Sequence, residues 1–196
     1  GIKLMIFCTN QYEKTYFKTG FCGVPPELGF REKPSELNFS RKVKMGMFYG
    51  NQFLKNPSYL NCSLLDTASA AYYYYILKTN YLRPFNYFKW NEEEVDKTLI
   101  NEYDWEKASD TTTTWRIGDG TAAFYNYVYY TVAGFTESDT FRSNQVLDGI
   151  ISRDKALELS KLENKPRWDS LRDYLNTVGV SFDQTIKIVN DIPKLY

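Results

Sequence analysis

The sequence predicts a mainly α-helical protein, a helical bundle or cap domain with a few short strands near the N-terminus and around residues 111–117. Three observations predict it. Beyond Ser58, apolar residues recur at helical spacing between capping residues. Strand formers gather in one short run, Ile2 to Cys8. Most of the breakers fall between residues 20 and 57, including Gly20, Gly23, Pro25, Pro26, Gly29, Pro34, Gly46, Gly50 and Pro57. The expected organisation is therefore an irregular arm with a short N-terminal strand over 1–57, followed by a helical domain over 58–196.

The run Ile2-Lys3-Leu4-Met5-Ile6-Phe7-Cys8 has no methionine start and no turn before it. A strand at position 2 needs neighbours for its backbone groups, so further sequence is expected upstream. Between Ser58 and Thr79, Ala68, Ala70 and Ala71 lead into Tyr72 to Leu77, apolar nearly all round, which predicts a buried helix. Asn91 followed by Glu92, Glu93 and Glu94 predicts a capped, solvent-facing helix from about Glu92 to Tyr103. Ala122 to Tyr130 reads as a second helix that is apolar almost all round. Asp139 can cap a helix that holds Arg142, Asn144 and Gln145 and that Gly149 ends, and Ser152 can cap the next, through about Glu163. Pro166 is expected to start a helix that Gly179 closes, and Ser181 to Gln184 form a capping box for a last helix that Pro193 stops.

Composition excludes more than it includes. With 196 residues, 43% of them hydrophobic, the chain is long enough to bury a core. Lysine plus arginine equals aspartate plus glutamate at 24 each, so no overall field gathers nucleic acid or an anionic membrane, and neither is expected as a partner. The chain has no histidine, which removes histidine-based nucleophile systems, histidine acid–base catalysis and histidine-ligated zinc. Carboxylate or tyrosine chemistry, or electrostatic chemistry with arginine, lysine and magnesium, remains. The 17 tyrosines, 13 phenylalanines and 4 tryptophans suit either large-residue packing or a ring-lined sugar or nucleotide site. Cys8, Cys22 and Cys62 lack the close pairs of a zinc knuckle or redox motif and are expected to be reduced and mostly buried. No signal peptide opens the sequence, and Gly120 to Phe135 is too short and too rich in hydroxyls to span a bilayer, so a cytoplasmic location is expected.

The most informative segment is Arg116-Ile117-Gly118-Asp119-Gly120-Thr121, a glycine turn that feeds a helix. Small residues there let backbone N–H groups approach an anion, and a helix N-terminus favours negative charge. Asp119 repels phosphate unless it binds magnesium, an amine or a hydroxyl, and the alternative is that Asp119 or Thr121 caps the helix while the glycines make the turn. Arg142, with Ser143, Asn144 and Gln145 beside it, offers a planar fork for phosphate or carboxylate, or is a packing arginine. Arg41, Lys42 and Lys44 form a basic strip read either as a lid over phosphates or as a solvated charge run.

The stretches Thr114-Trp115-Arg116-Ile117-Gly118-Asp119-Gly120-Thr121-Ala122-Ala123-Phe124-Tyr125-Asn126 and Thr140-Phe141-Arg142-Ser143-Asn144-Gln145, continuing through Gly149-Ile150-Ile151-Ser152-Arg153-Asp154-Lys155-Ala156-Leu157, resemble the carboxyl-terminal part of PP-loop ATP pyrophosphatases of the N-acetyl sugar amidotransferase type. The resemblance covers roughly residues 110–196. It implies adenylylation of a sugar carbonyl by ATP and attack by ammonia from a glutaminase partner. The family's S-G-G-x-D-S nucleotide loop is absent from this sequence, so the resemblance implies an upstream PP-loop domain, whose end would be the N-terminal strand. ATP and magnesium would belong to the full-length protein and not to this chain alone. Arg116, Gly118, Asp119, Gly120, Thr121 and Arg142 would then face substrate or pyrophosphate, with Tyr125 and Asn144 in support. Two other readings stand beside it: a noncatalytic helical module that packs on a partner protein, and a carbohydrate- or nucleotide-binding domain built on tyrosine platforms.

Overall fold

A computed structural model of the chain describes residues 4–13, 15, 17–24, 37–76, 80–111, 114 and 120–196. The fold is mainly helical, as expected. By contacts the chain divides into two compact units, one of residues 1–8 and 15–84, the other of residues 9–14 and 85–196. The boundary expected at 57 falls inside the first unit.

The first unit holds β1 (Met5–Ile6), α1 (Phe17–Gly20), α2 (Phe39–Lys55), α3 (Ser63–Tyr75) and β2 (Tyr81–Leu82). The strand expected at the N-terminus is present and pairs in parallel with β2, Met5 opposite Tyr81 and Ile6 opposite Leu82. The Met5 and Phe7 N–H groups donate to the carbonyls of Asn80 and Leu82 at 3.1 and 2.9 Å. Thr111 and Thr114 lie in irregular backbone, and the rest of the strand expected around 111–117 lies outside the described residues.

Residues 39–55, read from sequence as irregular, instead form a 17-residue helix capped by Asn38, whose side chain accepts the Arg41 N–H. Gly46 and Gly50 read as breakers, yet each costs a helix only about 1 kcal/mol. Burying one large apolar side chain returns about 1.5–3 kcal/mol. Met45 is buried against Cys22, Val24 and Leu37, with Phe48 packed beside it, and that contact decides the conformation. A Cβ at Gly46 or Gly50 would meet nothing within 4 Å. Gly46→Ala and Gly50→Ala should therefore each raise stability by about 0.8–1.0 kcal/mol, visible as a higher melting temperature in circular dichroism.

α3, expected to be buried, carries exposed Leu65, Tyr72 and Tyr73. An all-round apolar pattern suits burial but supplies no neighbour to bury against. The three cysteines are free; Cys22 is buried, but Cys8 and Cys62 are exposed, so the expectation of mostly buried thiols holds for Cys22 only.

The second unit holds α4 (Glu92–Tyr103), α5 (Thr121–Ala133), α6 (Glu137–Leu147), α7 (Arg153–Glu163), α8 (Trp168–Thr177) and α9 (Phe182–Asp191). Local capping sets most of these boundaries. The Asn91 side chain accepts the N–H groups of Glu93 and Glu94 at 3.1 and 3.4 Å, Ser152 that of Lys155 at 3.2 Å, and Ser181 that of Gln184 at 3.4 Å. Gly149 and Gly179 take left-handed conformations just past α6 and α8. Two boundaries differ from expectation. α6 is capped by Thr136, with Asp139 as the reciprocal partner of a capping box. α8 begins at Trp168, two residues after Pro166, and an outside carboxylate, Asp110, accepts the Ser170 N–H in its first turn at 3.0 Å.

Two apolar clusters hold this unit. Ala123 and Tyr127 of α5 meet Leu171 of α8 and Val189 of α9, with Phe124, Val128, Phe182 and Ile186 around them. Tyr12, Trp90 and Phe141 pack edge to face, with centroids 5.7–6.1 Å apart. Edge-to-face rings gain about 0.5–1.5 kcal/mol per pair beyond their burial, so the trio fixes the Gln11–Glu13 turn against α6.

Candidate functional site

A cavity of about 220 Å³ opens in the second unit between α5, the start of α6 and the connection from α7 to α8. Ala122, Asn126 and Tyr130 lie at i, i+4 spacing on one face of α5 and form one wall with Ala123 and Tyr127. Thr136 and Ser138 begin α6 on a second side, and Leu162 to Arg167 close a third with Ser109 to Thr111.

Most of the wall's polar groups are held by one another. The Thr136 N–H donates to Asp139 Oδ2 at 2.7 Å, the Thr136 hydroxyl to Asn164 Oδ1 at 2.5 Å, and Asn164 Nδ2 to Asp139 Oδ2 at 2.8 Å. Asn126 Oδ1 accepts the Glu137 N–H at 3.0 Å, which aims the amide along the wall. Asp110 receives Arg167 Nε at 3.0 Å, the Ser170 hydroxyl at 2.9 Å and the Ser170 N–H at 3.0 Å. Burial alone would raise the Asp110 pKa, but the Ser170 bonds and the Arg167 guanidinium outweigh it and hold the carboxyl below its ordinary value.

A carboxyl whose folded pKa is lowered stabilises the protein above its unfolded pKa and loses that contribution as pH falls through the folded one. Asp110→Ala should therefore lower stability by about 1 kcal/mol at neutral pH, the usual cost of a lost helix cap. The difference from wild type should vanish on the acid side in thermal melts.

Behind Glu163 lies a buried ion cluster. The side chain of Arg142 is 3% exposed and those of Glu92 and Glu163 are 21% and 6% exposed. Arg142 Nε donates to both Glu163 oxygens at 3.2 and 3.1 Å, and Nη1 to Glu92 Oε2 at 2.5 Å and Gln145 Oε1 at 2.8 Å. Nη2 donates to Glu92 Oε1 at 2.9 Å and also to Glu163. Although burial works against the charge, hydrogen bonds and attraction from Glu92 and Glu163 raise the Arg142 pKa. Glu163 is raised as well, because burial and the charges of Glu92 and Asp139 outweigh its share of the one guanidinium. The two shifts are compatible: one cation serves two carboxylates, so it is doubly held while Glu163 is only partly compensated.

The residues singled out from sequence fall in several places. Arg116, Gly118 and Asp119 lie outside the described residues. Gly120 is buried at the start of α5, with φ at +85°, and a Cβ there would stand 2.8 Å from Tyr174 Cβ and 3.1 Å from the Ser170 carbonyl. The approach of α8 therefore demands glycine by itself. Thr121 opens α5 next to the cavity-lining Ala122. Tyr125 stacks at a tilt on Tyr129 with centroids 5.8 Å apart. Asn144 Nδ2 donates to the Tyr12 carbonyl at 3.0 Å and fastens the Gln11–Glu13 turn. Arg142, read either as a planar fork for phosphate or carboxylate or as a packing arginine, bonds to Glu92 and Glu163 inside the protein. Asp110, Asn126, Tyr130, Glu163, Asn164 and Arg167 were not singled out, and the only local signal for any of them was the i, i+4 face of α5.

No family model matches the chain, nor does any curated protein or solved structure. Among the described residues, no group of three acidic, cysteine or histidine side chains is placed to hold a metal ion. No helix among the described residues is long and apolar enough to cross a membrane.

Proposed function

We propose that residues 85–196 form the sugar-side domain of an ATP-dependent amidotransferase of the PP-loop type, and that the cavity on α5 holds the sugar. Two lines support the reading. The motif stretches that resemble that family run into and around the cavity, through Ala122, Ala123 and Asn126. The observation that carries the reading is the lining itself: the acidic groups Asp110 and Glu163 are bound to Arg167 and Arg142, and the rest of the wall is amide, hydroxyl, aromatic and apolar groups with the Lys165 side chain among them. Such a wall suits a polyhydroxylated ring, and Lys165 suits one that carries a carboxylate.

The volume sets the ligand's size. At about 220 Å³ the cavity is smaller than the roughly 300–1,000 Å³ of clefts that enclose drug-sized ligands, so it takes one ring and not a whole nucleotide sugar. In this reading the chain binds and orients the sugar, while adenylylation of its carbonyl and delivery of ammonia fall to a nucleotide domain and a glutaminase.

Calorimetric titration of the chain with N-acetylglucosamine and with its uronic acid tests the proposal. Saturable heat is expected, reduced up to about tenfold by Tyr130→Phe, which removes one hydrogen-bonding hydroxyl. Ala122→Leu, which puts a larger side chain into the space, should abolish it. No heat with either sugar in a folded chain, or equal heat in Ala122→Leu, would overturn the assignment.

A further inference from the structure

The first unit carries a surface that the sugar site does not use. On α2, Phe39, Val43, Met47 and Leu54 fall on one helical stripe and are 82%, 43%, 71% and 83% exposed. Gly46 and Gly50 lie on the same stripe and leave bare backbone between these side chains. The opposite side of the helix is the one that packs, through Met45 and Phe48.

Charge frames the stripe. α2 contains Arg41, Lys42, Lys44 and Lys55 and no acidic residue. At 3.6 residues per turn, Lys44 and Lys55 run along one edge of the stripe and Lys42 along the other. The imbalance extends to the whole unit, where ten lysines and arginines face four aspartates and glutamates, although the chain as a whole is neutral.

We propose that this face of α2 lies on an anionic lipid surface, its apolar stripe sunk between headgroups and its lysines at their level. An amphipathic helix with basic edges binds such a surface through buried apolar area plus attraction to anionic lipid. Separate side chains standing off a bare backbone suit a soft medium that closes around them, whereas a rigid protein partner needs a matching pocket for each anchor. The helix lies on the surface and does not span it. This association is independent of the sugar reading, since it uses neither the cavity nor the second unit.

Flotation with vesicles of phosphatidylcholine alone and of equimolar phosphatidylcholine and phosphatidylglycerol tests it. The chain should float with the anionic vesicles at least tenfold better than with the neutral ones, and added salt should release it. Met47→Glu with Leu54→Glu should abolish flotation, and Lys44→Glu with Lys55→Glu should reduce it more than tenfold. All four positions are solvent-facing, so helicity and sugar titration should remain as in wild type. Failure of the wild type to float, or equal flotation of the Met47→Glu, Leu54→Glu variant, overturns the proposal. A dimer in light scattering that this variant dissolves would assign the face to a second copy of the chain, and overturns it equally.

Discussion

Arg142→Met is expected to destabilise the second unit by about 3–5 kcal/mol, the usual cost of removing one partner from a buried ion cluster. The loss follows from what remains. Glu163 and Glu92 would face each other across the space left by the guanidinium, with Asp139 near Glu163 and no cation between them. Replacing Arg142, Glu92 and Glu163 together by apolar residues of similar volume should restore most of the stability, because the desolvation of all three charges is then avoided. Urea unfolding of the single and triple variants measures both. An arginine kept to hold an external anion would behave differently, with Arg142→Met losing ligand affinity at nearly unchanged stability.

The same cluster sets a pH dependence. The folded pKa of Glu163 is raised, so the folded protein holds its proton more tightly than the unfolded chain. Its contribution favours folding at acid pH and is lost as pH rises through the raised folded value. Glu163→Gln should therefore gain on wild type as pH rises above the ordinary carboxylate range, whereas Asp110→Ala should lose on it at lower pH, as pH rises from the lowered folded value to the ordinary one. Opposite slopes of the two difference curves, followed by urea midpoint against pH, separate the carboxyl that burial dominates from the one its partners dominate.

What was legible in the sequence was local. A cap is a contact between residues two or three apart, so Asn91, Ser152 and Ser181 could be read with their helices, as could the glycines that end α6 and α8. The Arg142 cluster could not, because its carboxylates lie on α4 and at the end of α7 and only the packed fold brings them to one guanidinium. A free Arg beside Ser, Asn and Gln looks the same in sequence as an enclosed one. α2 is hidden for another reason: its two glycines read as breakers, but their cost is smaller than what the burial of Met45 returns. The cavity lies between these cases, since the spacing of Ala122, Asn126 and Tyr130 marks a face of α5, but only the approach of the α7–α8 connection turns the face into a site.

Gly120→Ala is expected to cost about 2–5 kcal/mol, the second large effect. Part of it is conformational: at φ +85° a side chain pays about 1–2 kcal/mol for the left-handed region. The rest is steric, about 1–3 kcal/mol for overpacking, because the new Cβ would stand 2.8 Å from Tyr174 Cβ and 3.1 Å from the Ser170 carbonyl. Neither neighbour yields cheaply. A Cβ and a carbonyl move only with the backbone of α8, unlike the Tyr196 ring that lies 3.0 Å from the equivalent point at Gly134. Gly179→Ala is the control, left-handed at φ +76° with nothing within 4 Å, and should cost only the conformational part. Because Ala122 and Ala123 follow Gly120 and line the cavity, pushing α8 away at this point should also weaken sugar binding in whatever protein remains folded. A Gly120→Ala variant as stable as Gly179→Ala would mean that α8 does not press on this turn, and the glycine would then be free to serve the anion contact that the sequence motif suggested.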